Sequence, residues 1–336
     1  MGVAGALATL DVMATSDPVA QPVRREAAAA MAADLVDACA RAVRAPAAVL
    51  EACVAALLSG GHVMVEDVPG VGKTVLAKAL AQASGCGYAR VQCTADLLPA
   101  DVTGVTVWHQ GEEAFRFHPG PVFANLVLVD EINRASPKTQ SALLESMEEG
   151  QVTVDGVTRP LPAPFMVIAT QNPVEYEGTF PLPEAQLDRF ALRVSLGYPS
   201  ARDEAAMLVD LASHEAIEDV PRVADDAAIR AAQRAVQEVE VRPALAEYVV
   251  DLVRATREDP RVDLGASPRA GLSLLRTARA RALLHGRDAT LPGDVRALAP
   301  LALAHRLLLT PDARARGADP VDVVEDALAG TAVPLA

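Results

Sequence analysis

Between residues 62 and 85 the chain reads HVMVEDVPGVGKTVLAKALAQASG, and this stretch constrains the fold more than any other. A short apolar run enters a glycine turn, and a segment with helical spacing leaves it and stops at another glycine. Strand, glycine-rich turn and helix in that order is the context required by the phosphate-binding pattern G-x-x-x-x-G-K-[ST]. Gly72, Lys73 and Thr74 supply its second half; where the pattern has its first glycine the chain has Asp67. A strand feeding a helix through such a turn belongs to a parallel α/β sheet.

The candidate nucleotide-cradling residues are Asp67, Val68, Pro69, Gly70, Val71, Gly72, Lys73, Thr74 and Val75. Lys73 is placed to neutralise β- and γ-phosphate charge, and Thr74 to offer its hydroxyl to Mg²⁺. Gly70 and Gly72 let the backbone approach phosphates without a Cβ in the way. Asp67 reads as a short polar side chain at the mouth of the turn, able to form an Asx-type turn and to tolerate unusual dihedrals.

LVLVDE, 126–131, is a continuous apolar run ending in two acids, the form of a buried parallel strand. A charge at such a place is costly without a task. Asp130 is therefore a candidate metal ligand, direct or through water, and Glu131 a candidate base for an attacking water; the alternative is a pair of solvated acids at a strand end. FMVIATQNP, 165–173, is a second such run. VTGVTVWHQGEEAFRF, 102–117, reads as a β-hairpin turning at residues 109–112, and QVTVDGVTRPLP, 151–162, as another turning at Asp155-Gly156. PKTQSALLESMEEG reads as a helix ending at Gly150. After Pro199 the remaining segments have a 3.6-residue period and no clear β pattern. The expected division is residues 1–40, a flexible tail and a helix; 41–199, an α/β nucleotide-binding core with helices on both faces of its sheet; and 200–336, an all-helical domain.

Hydrophobic residues are 51% of the 336 but aromatics only 3%, so the core is built from Ala, Val and Leu. The net charge of −14, with no basic cluster interleaved with aromatics, argues against nucleic-acid binding. Arginines between Arg269 and Arg287 alternate with Ala and Leu and read as a solvated or interface helix face. Cys39, Cys53, Cys86 and Cys93 lack metal-ligand spacing and read as small buried hydrophobes in a reducing compartment. The N-terminus is a poor signal peptide, and no run of 18 apolar residues exists. The expectation is a soluble, cytoplasmic protein.

GPVFANLVLVDEINRASPKTQSALLESMEEGQVTVDG, followed by PFMVIATQNPVEYEGTFPLPEAQLDRF, closely resembles the MoxR family of AAA+ ATPases. The resemblance runs from about Leu57 to Pro199 and continues more weakly through GASPRAGLSLLRTARARAL and LAHRL. It implies an AAA+ P-loop core followed by a helical lid, with ATP and Mg²⁺ as cofactors. It also implies that Asn172 is the sensor that reads the γ-phosphate and that Arg189 is an arginine finger reaching the neighbouring subunit's site. Arg269 would be the second sensor, coupling lid position to nucleotide, and the two hairpins are the inserts of this clade. Read from the residues alone, Asn172 is a turn residue before Pro173, and Arg189 could form a local ion pair with Glu184 or Asp188. Arg269 falls in the first turn of a helix capped by Ser267 with Pro268 next, where a cation opposes the helix dipole; a phosphate partner would explain it. The chain departs from the family at VRAPAA, 43–48, where an adenine-contact motif is expected, so no adenine-contacting residue is assigned.

The resemblance implies an ATP-hydrolysing chaperone, forming a homo-oligomeric ring of hexamer type, that remodels or activates a protein. Partners bearing a von Willebrand factor A domain, and roles in metal or cofactor insertion or complex assembly, go with the family. The competing classes are an AAA+ nucleic-acid motor or transcription activator, against which the acidic charge argues, and a P-loop small-molecule kinase, which would leave Arg189 unexplained.

Overall fold

The computed structural model describes residues 20–172, 178–198, 200–201, 204–205 and 217–334. Of the expected flexible tail, residues 1 to about 20, only Ala20 is among them, and the expected boundary at Pro199 lies outside them. Two helices, α1 (Ala20–Ala42) and α2 (Ala47–Ser59), precede the first strand, β1 (Val63–Glu66), and the glycine turn leads into α3 (Lys73–Ser84). There follow β2 (Tyr88–Gln92), α4 (Pro99–Thr103) and the hairpin β3 (Gly104–His109) and β4 (Ala114–Pro119). Next come β5 (Leu126–Asp130), α5 (Pro137–Glu149), the hairpin β6 (Gln151–Val154) and β7 (Val157–Pro160), β8 (Met166–Gln171), α6 (Glu184–Leu187) and β9 (Leu192–Val194).

Five strands form one parallel sheet in the order β2-β5-β8-β1-β9. Alternate side chains of a strand face opposite sides, so a sheet covered on both faces needs unbroken apolar runs. The burial follows this rule. Val63, Val65, Leu126, Leu128, Met166 and Ile168 join one core with α1, α2, α3 and the helical module. Met64, Val127, Val129, Val167 and Ala169 join a second core with α5 and the second hairpin. The edge strands β2 and β9 carry too little of this pattern to stand out in the sequence.

Both hairpins form where expected. The first pairs His109 with Ala114, so its turn spans residues 110–113, one residue later than the sequence suggests. The second turns at Asp155-Gly156 with φ of 53° and 76°, the two positive angles an Asp-Gly turn accommodates. Arg159 of the second hairpin lies 3.9 Å over the ring of Phe117 in the first, locking the two together.

The helical module contains α7 (Asp226–Glu238), α8 (Pro243–Glu258), α9 (Pro268–Leu284), α10 (Pro292–Leu303), α11 (Pro311–Ala315) and α12 (Pro320–Gly330). It adds one feature the sequence does not announce. β10 (Val262–Leu264) pairs antiparallel with β11 (Leu308–Leu309), strands too short to show an alternation. α9 packs on α2, and both bury runs of alanine, which let two helix axes approach closely. The alanine-rich composition is thus spent on joining module to core.

Candidate functional site

The glycine turn and the ends of β5 and β8 meet at the carboxyl edge of the sheet, where open α/β sheets bind ligands. They enclose a cavity of about 340 Å³ lined by Pro69, Gly70, Gly72, Lys73, Thr74, Asp130, Glu131, Thr170 and Asn172. Gly70 and Gly72 have φ of 88° and 96°, and a Cβ on either would project into open space, as a backbone cradle for an anion requires. Lys73 donates its ammonium to the carbonyl oxygens of Asp67 and Gln171, from where it can turn to a bound phosphate.

The acid pair is positioned from both neighbouring strands. Thr170, at the end of β8, donates its hydroxyl to Asp130 Oδ1 at 2.7 Å and accepts the backbone N–H of Glu131 at 2.9 Å. Arg90, on β2, donates to Asp130 Oδ2 at 2.6 Å. Glu131 occupies the left-handed region, φ 57° and ψ 53°. A residue other than glycine held there costs about 1 kcal/mol or more, and such conformations gather at functional sites. Its Oε2 accepts from Gln92 Nε2 at 3.3 Å and pairs with Arg134 at 3.0 Å. Thr170, Arg90 and Gln92 escape the sequence reading. The signal for the last two is their i, i+2 spacing on a strand whose Gln92 lies opposite Asp130, but β2 is not recognisable as a strand from its own residues.

Hydroxyl and carboxylate oxygens are the donors Mg²⁺ prefers, and Thr74 and Asp130 line the same cavity. The open glycine cradle beside them suits the phosphates of a nucleotide. The residues present therefore fit both groups.

Asp67 is placed differently from the sequence expectation. Its φ is not positive, and its carboxylate turns away from the cavity. Oδ2 accepts from Ser195 Oγ, Leu196 N and Gly197 N at 2.9, 2.7 and 2.8 Å, and Oδ1 from the N–H of Val68 at 3.0 Å. Burial pushes this carboxyl up, but the hydrogen bonds outweigh it and hold it below the usual range. Val71 is buried, and Val68 and Val75 pack against the core, so their side chains serve the turn's seating and not its mouth.

Arg189 and Arg269 do not line this cavity. They line a second one, also about 340 Å³, between core and helical module. Both pair with the same carboxylate, Glu148 near the end of α5, at 3.0 and 2.8 Å. Arg189 therefore pairs with neither Glu184 nor Asp188, and the cation in the first turn of α9 is answered by a carboxylate of its own chain. Ser267 caps α9 as expected, accepting from the N–H of Ala270, while its hydroxyl also reaches Asp188 Oδ2 at 3.0 Å. Arg306, almost fully buried, pairs with Asp188 at 2.7 Å and donates to the carbonyl of Phe190. Burial pulls the Arg306 guanidinium down to about 10. Asp188 is thus a junction between the segment carrying Arg189 and two parts of the helical module.

The family model for ATPases associated with various cellular activities matches residues 62–192, and that for the AAA lid domain matches residues 254–327. Chaperone MoxR1 of Mycobacterium tuberculosis is 42% identical over 85% of this chain and 78% of its own length. An uncharacterised protein of Bacillus subtilis, YeaC, is 50% identical over 84% of this chain and 88% of its own. The crystal structure of a candidate ATPase from Cytophaga hutchinsonii superposes with a TM-score of 0.88 at 33% identity, covering 94% of this chain and 99% of that one.

Proposed function

The chain belongs to the MoxR family of AAA+ ATPases, and from that premise we propose that it hydrolyses ATP to remodel or activate a protein partner. The observation that carries the proposal is the single cavity onto which Gly70, Gly72, Lys73, Thr74, Asp130, Glu131 and Asn172 converge. Bound Mg²⁺ would supply positive charge to the phosphates, held by Thr74 and Asp130. Glu131 takes the proton of a water, and its left-handed backbone aims the carboxylate into the cavity instead of along the strand. Gln92 and Arg134 hold its Oε2 back until the substrate competes for it. Lys73 exchanges two carbonyl oxygens for phosphate oxygens, and Asn172, buried at the end of β8, orients the γ-phosphate and the water.

Arg189 and Arg269 line a cavity that shares no residue with the loop's cavity, and what supports their role is that separation. In a ring, we propose, both serve a neighbouring subunit's nucleotide, Arg189 as the finger and Arg269 beside it, leaving Glu148 when phosphate arrives. A homo-oligomeric ring, of hexamer type, is the assembly we propose for completing a site divided in this way. A cytoplasmic setting and a partner bearing a von Willebrand factor A domain, with metal or cofactor insertion or complex assembly as the outcome, complete the reading. The likeness to a relative named as a chaperone supports action on a protein, while the partner class, the outcome and the setting rest on the family resemblance alone.

The deciding experiment pairs binding with turnover. Mg·ATP should stabilise the fold by about 2.7 kcal/mol at a hundredfold excess over Kd and so raise the melting temperature. Glu131→Gln should keep that shift and lose phosphate release. Absence of the shift in the parent protein, or normal turnover in Glu131→Gln, overturns the proposal.

A further inference from the structure

Every polar group of Asp67 is engaged, and its engagements point two ways. Its N–H donates to the carbonyl of Gln171 at 3.2 Å, and its own carbonyl accepts the Lys73 ammonium, so the backbone belongs to the phosphate loop. Its carboxylate belongs to residues 195–197, which follow β9 and lead towards the helical module. Three donors from that segment meet on one oxygen. Two of them are the successive backbone N–H groups of Leu196 and Gly197, with Gly197 at φ 69°. Consecutive amides that end in a left-handed residue form a concavity suited to an anion, and here the anion is the side chain of the loop itself. Bonds from N–H groups to an ionised acceptor are about twice as strong as neutral ones. A glycine at position 67, as the phosphate-loop pattern has it, would supply none of these side-chain contacts.

We infer that Asp67 is a positioning residue that couples filling of the phosphate loop to the placement of residues 195–197. The inference rests on the nucleotide reading of the loop. When Lys73 turns to phosphate it leaves the Asp67 carbonyl, and when Gly70 and Gly72 close on the phosphates the loop stiffens. Either change acts on the residue whose carboxylate holds the 195–197 segment. Coupling of this kind is reciprocal: if nucleotide firms the tie, the tie must firm nucleotide binding by the same factor.

Reciprocity gives a test that leaves the loop untouched. Mg·ADP is the probe, since it fills the loop without turnover. In the parent protein, saturating Mg·ADP should slow hydrogen exchange at the amides of Leu196 and Gly197, a measurement that needs no variant. Ser195→Ala removes one donor to Asp67 outside the loop and should weaken Mg·ADP binding about fivefold, the lower end of ordinary coupling. Ser195→Thr, which keeps the hydroxyl at an exposed position, should bind as the parent does. Exchange at 196 and 197 that ignores Mg·ADP overturns the coupling, and so does a Ser195→Ala protein that binds as tightly as the parent. If the parent protein binds neither Mg·ADP nor Mg·ATP, the nucleotide reading itself fails and takes the coupling with it. If the parent binds and only the Ser195 and exchange results are flat, the coupling alone falls.

Discussion

Asp130 is held in the free protein by an arginine on one oxygen and a threonine hydroxyl on the other. Arg90→Met should therefore lower the stability of the nucleotide-free protein by about 1–2 kcal/mol, since it strips a charged hydrogen bond from a largely buried carboxylate. With saturating Mg·ADP the deficit should shrink, because another cation then faces Asp130; melting temperatures with and without nucleotide give both numbers. His62 carries a pH prediction. Its Nδ1 accepts the N–H of Val167, so the proton is on Nε2, which donates to the carbonyl of Met147. Burial pushes its pKa down to about 4, the Met147 bond opposing this only in part. In the unfolded chain the imidazole takes its proton near pH 6.5, so the unfolded state binds more protons between these values. Stability is fully present above about pH 6.5 and falls by up to about 3 kcal/mol as pH drops towards 4. His305, pushed well below its ordinary value by burial and by Arg306, adds to the slope. Denaturant midpoints between pH 7 and 5 should fall less in His62→Gln than in the parent. The phosphate loop and the acid pair were legible because each is a local string. Arg90 and Thr170 were not, since only the sheet brings residues 90, 130 and 170 together.

The elements divide in the same way. β5 and β8 announce themselves because both faces of each strand are buried, whereas β2 shows one buried residue in five and β9 has only three residues. The helices after the core were readable from periodicity and, for α9, from its Ser267 cap, but not the joint between module and core. Beside the apolar α2–α9 contact that joint has a polar part: Arg306 reaches from beside β11 to Asp188 and to the carbonyl of Phe190, while Ser267 closes on Asp188 from the head of α9. Arg306→Ala should cost about 3–5 kcal/mol, the usual penalty for leaving one half of a buried pair behind. Urea unfolding should show it as a lowered midpoint. A much smaller loss would mean that water reaches Asp188 and that the apolar α2–α9 contact holds core and module together unaided.

Across the whole molecule, the two cavities sort the proposed catalytic residues into two sets. Glu131, Lys73 and Asn172 belong with the loop; Arg189 and Arg269 belong with Glu148. If the second set serves a neighbouring subunit, Arg189→Ala and Arg269→Ala should each regain part of their hydrolysis when mixed with Glu131→Gln, once subunit exchange is shown. Mixed with each other they should regain none. An arginine finger contributes about 10³ to 10⁵ in rate, so even a small fraction of repaired interfaces is measurable above either variant alone. The family resemblance alone already assigns Arg189 to a neighbouring subunit's site; that Arg269 shares its cavity and that Glu148 holds both could not be seen in the sequence, where the two arginines are 80 residues apart. Glu148 has a consequence of its own. If the two arginines serve a neighbour, a solitary subunit keeps them sheathed on this carboxylate, and the neighbour's nucleotide must draw them out of the sheath. Glu148→Gln would leave the blades bare, and hydrolysis should then reach half its maximum at a lower protein concentration than in the parent.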